Sequence, residues 1–266
     1  MNLKTIAYGL LVFCVAILPA SADLKQREWN IDGASRQALI SIPATIPADG
    51  CPLIFAFHGH GGSALNAART FHYQDVWPEA AVVYMQGLPT PGLLTDPEGK
   101  KNGWDAKTIG PNNRDLKFFD AVLASMQKDY KIDPKRVYCT GHSNGGGFTY
   151  MLWSQRGDVF AAIAPSAAAS VQVLGKLTPM PILHVAGQND HLVKYEWQQM
   201  TMKAVRKING CSETGTPWAS SGPLTGTIYP SPSGTPLVTL IHPGTHVFPP
   251  ETPALIVRFF KEHVRK

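Results

Sequence analysis

Charge is scarce in this chain. Asp, Glu, Lys and Arg make up 16% of its 266 residues, against 44% hydrophobic. A sequence so apolar can bury a large core, and composition argues against disorder. Bases outnumber acids, for a net charge of +5 and a pI near 9.0. No Lys/Arg cluster runs along any one predicted helix, so a nucleic-acid partner is not expected. Internal repeats and linkers are also missing, and 266 residues fit one α/β domain. The apolar run at residues 6–18 is too short to span a bilayer comfortably, so no stable membrane anchor is expected.

That apolar run reads instead as an export signal. Lys4 supplies a positive n-region and Ala20-Ser21-Ala22 an A-x-A cleavage site. Residues 1–22 are therefore expected to be a signal peptide, and residues 23–266 a single catalytic domain, secreted or periplasmic. Cys14 lacks the preceding small residues of a lipoprotein site. Three cysteines remain in the mature chain, Cys51, Cys139 and Cys211, an odd number that leaves at least one thiol free. Cys139 lies on a predicted strand, where it should be buried and inert. Cys51 precedes one strand, and Cys211 follows a helix expected to return to the same sheet edge. A Cys51–Cys211 disulfide is the pairing to test, and a Cα separation above about 7 Å would exclude it.

The strongest local pattern is Gly141-His142-Ser143-Asn144-Gly145, which reads G-x-S-x-G. Residues 136–140 before it are β-prone and residues 146–153 after it can continue as a helix. A serine on a sharp strand-to-helix turn is held in a strained backbone with its hydroxyl exposed. Flanking glycines let strand and helix approach closely. The helix N-terminus then presents N–H groups where negative charge would develop.

Hydrophobic periodicity places this turn in a sheet. Residues 28–33 and 36–42 read as two strands around an Asp-Gly turn. Residues 53–58 and 81–85 are continuous apolar runs, as expected of strands buried on both faces. Residues 161–165, 181–186 and 237–242 are three further short strands. Helical spacing marks residues 64–80, 115–130, 195–209 and 251–264. Residues 88–112, rich in Gly and Pro, are too long for a simple connection and are expected to form a lobe over the site. Strands alternating with helices give a mostly parallel sheet with right-handed crossovers.

In such a sheet, active sites lie at the carboxyl ends of the strands. Asp190 follows one predicted strand, in Gly187-Gln188-Asn189-Asp190. His246 follows another, in Gly244-Thr245-His246. With Ser143 they give the chain order Ser, Asp, His that α/β-hydrolases use. His246 would take the Ser143 proton, and Asp190 would fix the imidazole tautomer and stabilise its charged form. His242 and His191 are the nearest rivals for the base. An oxyanion hole needs two donors. The Asn144 N–H follows the nucleophile, and the His60 N–H lies in His58-Gly59-His60-Gly61-Gly62, with Gly59 and Gly61 as neighbours that could serve instead. His58, His60 and His142 could alternatively cluster on a metal, but they lack a carboxylate or thiolate partner and a fixed helical spacing. The glycines are not followed by Lys-Ser/Thr, which argues against a phosphate loop. No metal and no cofactor are expected.

Three stretches carry a family resemblance: His58-Gly59-His60-Gly61-Gly62-Ser63, Tyr130-Lys131-Ile132-Asp133-Pro134-Lys135-Arg136-Val137-Tyr138, and Gly141-His142-Ser143-Asn144-Gly145-Gly146. Asp158-Val159-Phe160-Ala161-Ala162 and Asn209-Gly210-Cys211 fit as well. The chain resembles the secreted esterases that include polyhydroxybutyrate depolymerases and feruloyl or acetylxylan esterases, over nearly all of residues 23–266. The resemblance implies an α/β-hydrolase fold, a mostly parallel sheet of about eight strands with helices on both faces, and carries Ser143, Asp190 and His246 over as the triad. It also implies an ester substrate, linked to polysaccharide in the feruloyl and acetylxylan members. Two departures stand out. His142 and Gly147-Phe148 occupy positions where members often carry methionine, and no Thr-rich linker or polymer-binding domain is present. Trp104, closing the long lobe, and Trp218, in Thr216-Pro217-Trp218, offer aromatic faces for a sugar or phenolic ring. Three function classes follow: a carboxylic-ester hydrolase, another serine acyl-transfer enzyme such as a peptidase or acyltransferase, and a non-enzymatic binding protein on the same scaffold. All three triad members are present, which favours an enzyme.

Overall fold

The computed structural model describes residues 23–266. The expected signal peptide lies outside the described residues. The chain opens with a hairpin, β1 (Lys25–Ile31) and β2 (Ala34–Ser41), around Asp32 and Gly33. Both turn residues have positive φ, 52° and 82°, and the Asn30 side-chain oxygen accepts from the Gly33 N–H at 2.9 Å. That is the backbone an Asp-Gly hairpin turn requires.

The inner strands are β3 (Cys51–Phe57), β4 (Ala81–Met85), β7 (Ile132–His142), β8 (Ala162–Ser166), β9 (Ile182–Gly187) and β12 (Leu237–His242). A ribbon of β5 (Leu88–Pro89) and β6 (Asn102–Gly103) closes the lobe between β4 and β7, and β10 (Thr216–Pro217) and β11 (Thr225–Tyr229) precede β12. The main sheet runs β1-β2-β4-β3-β7-β8-β9-β12-β11-β10. From β4 to β12 every neighbouring pair is parallel, while the pairs at both edges are antiparallel. The eight expected strands all form, and two more at the β12 side make the sheet ten-stranded.

Helices α1 (Ala64–Phe71), α2 (Tyr73–Val76) and α6 (Thr252–Lys261) cover one face. Helices α3 (Arg114–Asp129), α4 (Asn144–Arg156) and α5 (Tyr195–Ile208) cover the other. β3 shows why its apolar run is continuous. Leu53, Phe55 and Phe57 enter the core under α3 and α4, and Ile54 and Ala56 enter the core under α1 and α6. Period-2 alternation between two buried faces leaves no polar position. The helix expected over residues 64–80 is two helices. His72 adopts a left-handed backbone at φ 34°, and the next N–H, of Tyr73, donates to the Tyr84 hydroxyl at 2.8 Å instead of continuing the helical ladder.

The lobe is tied to this frame at the start of α3. Asn113 caps the helix by accepting from the N–H groups of Asp115 and Leu116. Asp115 is wholly buried, ion-paired with buried Arg36 of β2 at 2.6 Å, and its other oxygen accepts from the Asp105 N–H at 2.8 Å. Removing one member of such a pair strands a buried charge, at a cost of about 3–5 kcal/mol.

The expected Cys51–Cys211 disulfide does not form, and Cys51, Cys139 and Cys211 are all free thiols. Cys51 opens β3 in the middle of the sheet. Cys211 follows α5 and contacts the Thr235 carbonyl, just ahead of β12. Strands β7, β8 and β9 intervene, so the two ends stand about 19 Å apart at ~4.8 Å per strand. No disulfide bridges that gap. Cys139 is completely buried, and burial pushes its thiol well up, away from a reactive thiolate.

Candidate active site

The candidate nucleophile, Ser143, sits on a strained backbone. Between β7 and α4, Ser143 has φ 56° and ψ −119°, a conformation that costs a non-glycine residue about 1–3 kcal/mol. Its N–H donates to the Ser166 carbonyl of β8 at 2.8 Å, and its carbonyl accepts from the Gly147 N–H at 2.9 Å. A Cβ on Gly141 would overlap the Gly145 carbonyl, and a Cβ on Gly145 would overlap the carbonyls of Phe57 and His58. The turn can close only because both positions are glycine. Ser143 itself borders a cleft of about 880 Å³.

Asp190 and His246 reach the same region from the loops after β9 and β12. The two loops are stitched together: the Gln188 N–H donates to the His242 carbonyl and the Asn189 N–H to the Gly244 carbonyl, at 2.8 and 3.0 Å. Asp190 Oδ2 lies 2.7 Å from His246 Nδ1, and its Oδ1 accepts from the N–H groups of Leu192 and Val193 at 3.0 and 2.9 Å. The Asp190 side chain is fully buried. His246 borders the cleft with Ser143. The Ser143 hydroxyl makes no side-chain hydrogen bond within 3.5 Å among the described residues, and such contacts often tighten only with substrate bound. Of the rival histidines, His242 ends β12 away from the cleft lining, its Nδ1 accepting from the Gly244 N–H at 3.1 Å. His191 is exposed and also lies off the lining.

His60 and Asn144 border the cleft, and neither backbone N–H donates to a protein acceptor among the described residues. The Asn144 side chain is occupied elsewhere. Its Oδ1 accepts from the Trp104 N–H at 2.7 Å and its Nδ2 donates to the Trp104 carbonyl at 3.0 Å, clamping the lobe to the elbow. The neighbouring loop N–H groups of Gly61 and Gly62 donate to Asn102 and Gly59. The Gly59 N–H, also at the cleft, is likewise without a protein acceptor among the described residues, so Gly59 and His60 are both candidate loop donors to pair with the Asn144 N–H.

The remaining loop histidines have separate structural tasks. His58 Nδ1 donates to the Gly59 carbonyl at 2.7 Å and its Nε2 accepts from the Gly87 N–H at 3.0 Å, which fixes a neutral tautomer. Burial holds its pKa below the ordinary value. His60 Nε2 faces Asp96 Oδ2 at 3.1 Å. His142 stacks obliquely near His246, ring centroids 4.9 Å apart, and meets the Ser166 hydroxyl at 3.2 Å. Burial, then the neighbouring His246 and His242, press its pKa down to about 3.

The two tryptophans expected to contact substrate do not serve as open platforms. Trp104 borders the cleft, but it is 1% exposed. Its ring stacks on Phe148 and meets Phe57 edge-on, and its indole N–H donates to the His58 carbonyl at 2.9 Å. Trp218 lies off the cleft lining altogether. It packs edge-on to Phe259 of α6 with the Arg258 guanidinium 5.0 Å above its ring. The exposed tryptophan at the cleft is Trp197, 38% exposed in the first turn of α5. Its signal in the sequence was its position, one helical turn beyond the loop that carries Asp190. Leu93, Leu94 and Val171 complete an exposed apolar rim.

A parallel sheet with antiparallel edges, helices on both faces and a strained serine elbow define an α/β-hydrolase fold. Residues 112–178, which span the elbow, match the family model described as the Prolyl oligopeptidase family. The chain is similar to a bifunctional acetylxylan esterase/xylanase from Neocallimastix patriciarum, 29% identical over 180 residues, 67% of this chain and 25% of that protein. Feruloyl esterase C of Emericella nidulans is 27% identical over 191 residues, 70% of this chain and 67% of that one. Feruloyl esterase B of Piromyces equi is 26% identical over 204 residues, covering 72% of this chain and 36% of that protein. The chain thus spans between a quarter and two thirds of the length of these relatives. In three dimensions, an acetyl xylan esterase from Aspergillus awamori matches with a TM-score of 0.63 at 14% identity, over 90% of this chain and 99% of that one. No helix of the described residues is long and apolar enough to cross a membrane.

Proposed function

We propose that this chain is a secreted serine carboxylesterase working through an acyl-enzyme, with Ser143 as nucleophile, His246 as general base and acid, and Asp190 as its orienting carboxylate. The observation that carries the reading is that His246, which borders one cleft with the strained Ser143, is paired from behind by buried Asp190 at 2.7 Å. Ser143 Oγ attacks the ester carbonyl while His246 Nε2 takes its proton. Charge moves to the carbonyl oxygen, which accepts from the Asn144 and His60 N–H groups. Collapse expels the alcohol, protonated by His246, and leaves the acyl group on Ser143. Water then attacks the acyl-enzyme by the same route and releases the acid. Asp190 holds Nδ1 protonated, so that Nε2 carries the lone pair.

The leading substrates are feruloyl or acetyl esters of polysaccharide. Similarity to feruloyl and acetylxylan esterases supports this class, as does a cleft wide enough for a ring and walled by Trp197. A panel of esters tests the reading. Methyl ferulate or acetylated xylan fragments should give higher kcat/KM than soluble hydroxybutyrate oligomers. The reverse preference would make the chain a hydroxyalkanoate oligomer hydrolase with the same three residues. Amide substrates belong in the panel, because the match at residues 112–178 is to a family named for a peptidase. Failure to label Ser143 with a fluorophosphonate, in folded protein, would remove serine catalysis altogether.

A further inference from the structure

Behind Asp190, three buried side chains form a continuous line of hydrogen bonds that the triad chemistry does not itself require. Gln198 of α5 places Nε2 3.1 Å from Asp190 Oδ2 and 2.7 Å from the Val193 carbonyl oxygen. Its Oε1 lies 3.3 Å from His184 Nε2, on β9. His184 Nδ1 lies 2.8 Å from the Tyr150 hydroxyl, on the elbow helix α4. Gln198, His184 and Tyr150 are all completely buried.

The partners permit one assignment of protons. An ionised Asp190 and the Val193 carbonyl are both acceptors, so the end of Gln198 that faces them is the NH2 group. The other end is then an oxygen, and His184 Nε2 must carry a hydrogen to satisfy it. His184 is neutral, because burial depresses its pKa to about 4. Its Nδ1 is therefore bare and accepts from the Tyr150 O–H. Turning the Gln198 amide over would set its oxygen against two acceptors and cost the desolvation of all three groups.

We propose that Gln198 is a positioning residue for Asp190, with its amide held in the donating orientation by Tyr150 through His184. The proposal rests on the triad reading above. Oδ1 of Asp190 is fixed by two backbone donors, while Oδ2 faces both His246 and Gln198. A carboxylate rotates readily about its last torsion. The Gln198 donor holds Oδ2 in the plane that meets His246 Nδ1, without adding a charge that would weaken the ion pair with a protonated His246. The line also links the helix behind Ser143 to the loop of the acid, so that two parts of the site share one rigid support.

Two variants separate this role from simple packing. Gln198→Met keeps side-chain volume and removes the donor. Its kcat should fall about tenfold to a hundredfold, the loss expected for a buried hydrogen bond to a charged group, with KM within twofold and the ratio to wild type flat across pH. Gln198→Glu sets a carboxyl against Asp190, and two carboxyls so close share one proton. While that proton is held, the new side chain still donates to Asp190 and accepts from His184. The kcat of Gln198→Glu relative to wild type should therefore fall as pH rises. Both are read on protein whose thermal unfolding remains cooperative. A Gln198→Met kcat within twofold of wild type, or a pH-flat Gln198→Glu ratio, overturns the proposal while leaving the triad intact. If wild type turns over no ester, the triad reading fails first, and 15N NMR of the imidazoles then decides. His184 should be the tautomer protonated at Nε2 in wild type, and a His184 protonated at Nδ1 refutes the line of bonds whatever the enzyme does.

Discussion

Two kinds of wall meet at the cleft. Ser143, Asp190 and His246 each stand one to four residues past the end of a parallel strand, on β7, β9 and β12. Leu93, Leu94 and Val171 stand on irregular segments, one in the lobe and one after β8. Asp190 and His246 are paired, Ser143 is half-buried, and all three take their positions from strands whose register the sheet fixes. The rim residues are exposed, Leu93 by 73% and Val171 by 71%. On the function proposed above, chemistry falls to the rigid half and contact with a varying substrate to the other, as expected when loops carry specificity on a fixed scaffold. Substitutions on the two sides should accordingly fail in different ways.

The largest effect belongs to the elbow. Ser143→Ala should lower kcat by about four orders of magnitude or more, because the residues of a triad act as a unit. The melting temperature should hold or rise, since alanine carries no hydroxyl to position. Steady-state turnover and thermal unfolding, measured on one preparation, check both halves of this expectation.

Trp104 tests where the boundary between the two walls lies. It borders the cleft, yet it is packed between Phe57, Phe148 and the His58 carbonyl. Trp104→Ala should destabilise the fold by about 3–5 kcal/mol, as for other buried aromatics. A variant of native stability with a raised KM would return Trp104 to the substrate.

A pH titration of stability examines the rigid half from behind. His184 is buried and neutral, with a pKa near 4 in the fold against an ordinary 6.5. The unfolded chain binds its proton first as pH falls. The depressed value means the stability associated with His184 is fully present above pH 6.5 and is lost as pH drops towards 4. At pH 5 the loss is on the order of 2 kcal/mol. Denaturant unfolding at pH 7 and pH 5 should show it, and His184→Gln should lose less over the same interval.

The same division explains what the sequence makes legible. Continuous apolar runs, the Asp-Gly turn and G-x-S-x-G report on strands and on an elbow whose geometry is local. Loops that follow strands inherit one end of the sheet, so Asp190 and His246 could be found without knowing their separation. Position across the sheet is not local. Cys51 and Cys211 looked like neighbours because nothing in either segment counts the strands between them. The outer strand β11 escaped because Thr-Gly-Thr-Ile-Tyr is short and carries a glycine. Trp104 closes the lobe and Trp218 lies in an irregular stretch, and neither position says which side of a loop a ring occupies. Gln198 was invisible for the same reason, being one polar residue in a helix rich in them.

The smallest effect is the most direct test of the rim. Trp197 is exposed at the cleft in the first turn of α5, and Lys194 Nζ lies 5.5 Å from its ring. Trp218 has a comparable aromatic surface but spends it on Phe259 and Arg258. Trp197→Ala should raise KM for an aromatic ester about three- to tenfold with kcat within twofold, the loss of one partly buried apolar contact. The same substitution should matter less for a small acetyl ester, which cannot reach as far along the wall. Trp218→Ala should leave both constants unchanged and lower stability by about 1 kcal/mol. Kinetics on one aromatic and one acetyl substrate, with each variant, give four ratios. If Trp218→Ala moves KM and Trp197→Ala does not, the substrate runs over the opposite side of the molecule, and the division of labour between sheet and rim is wrong.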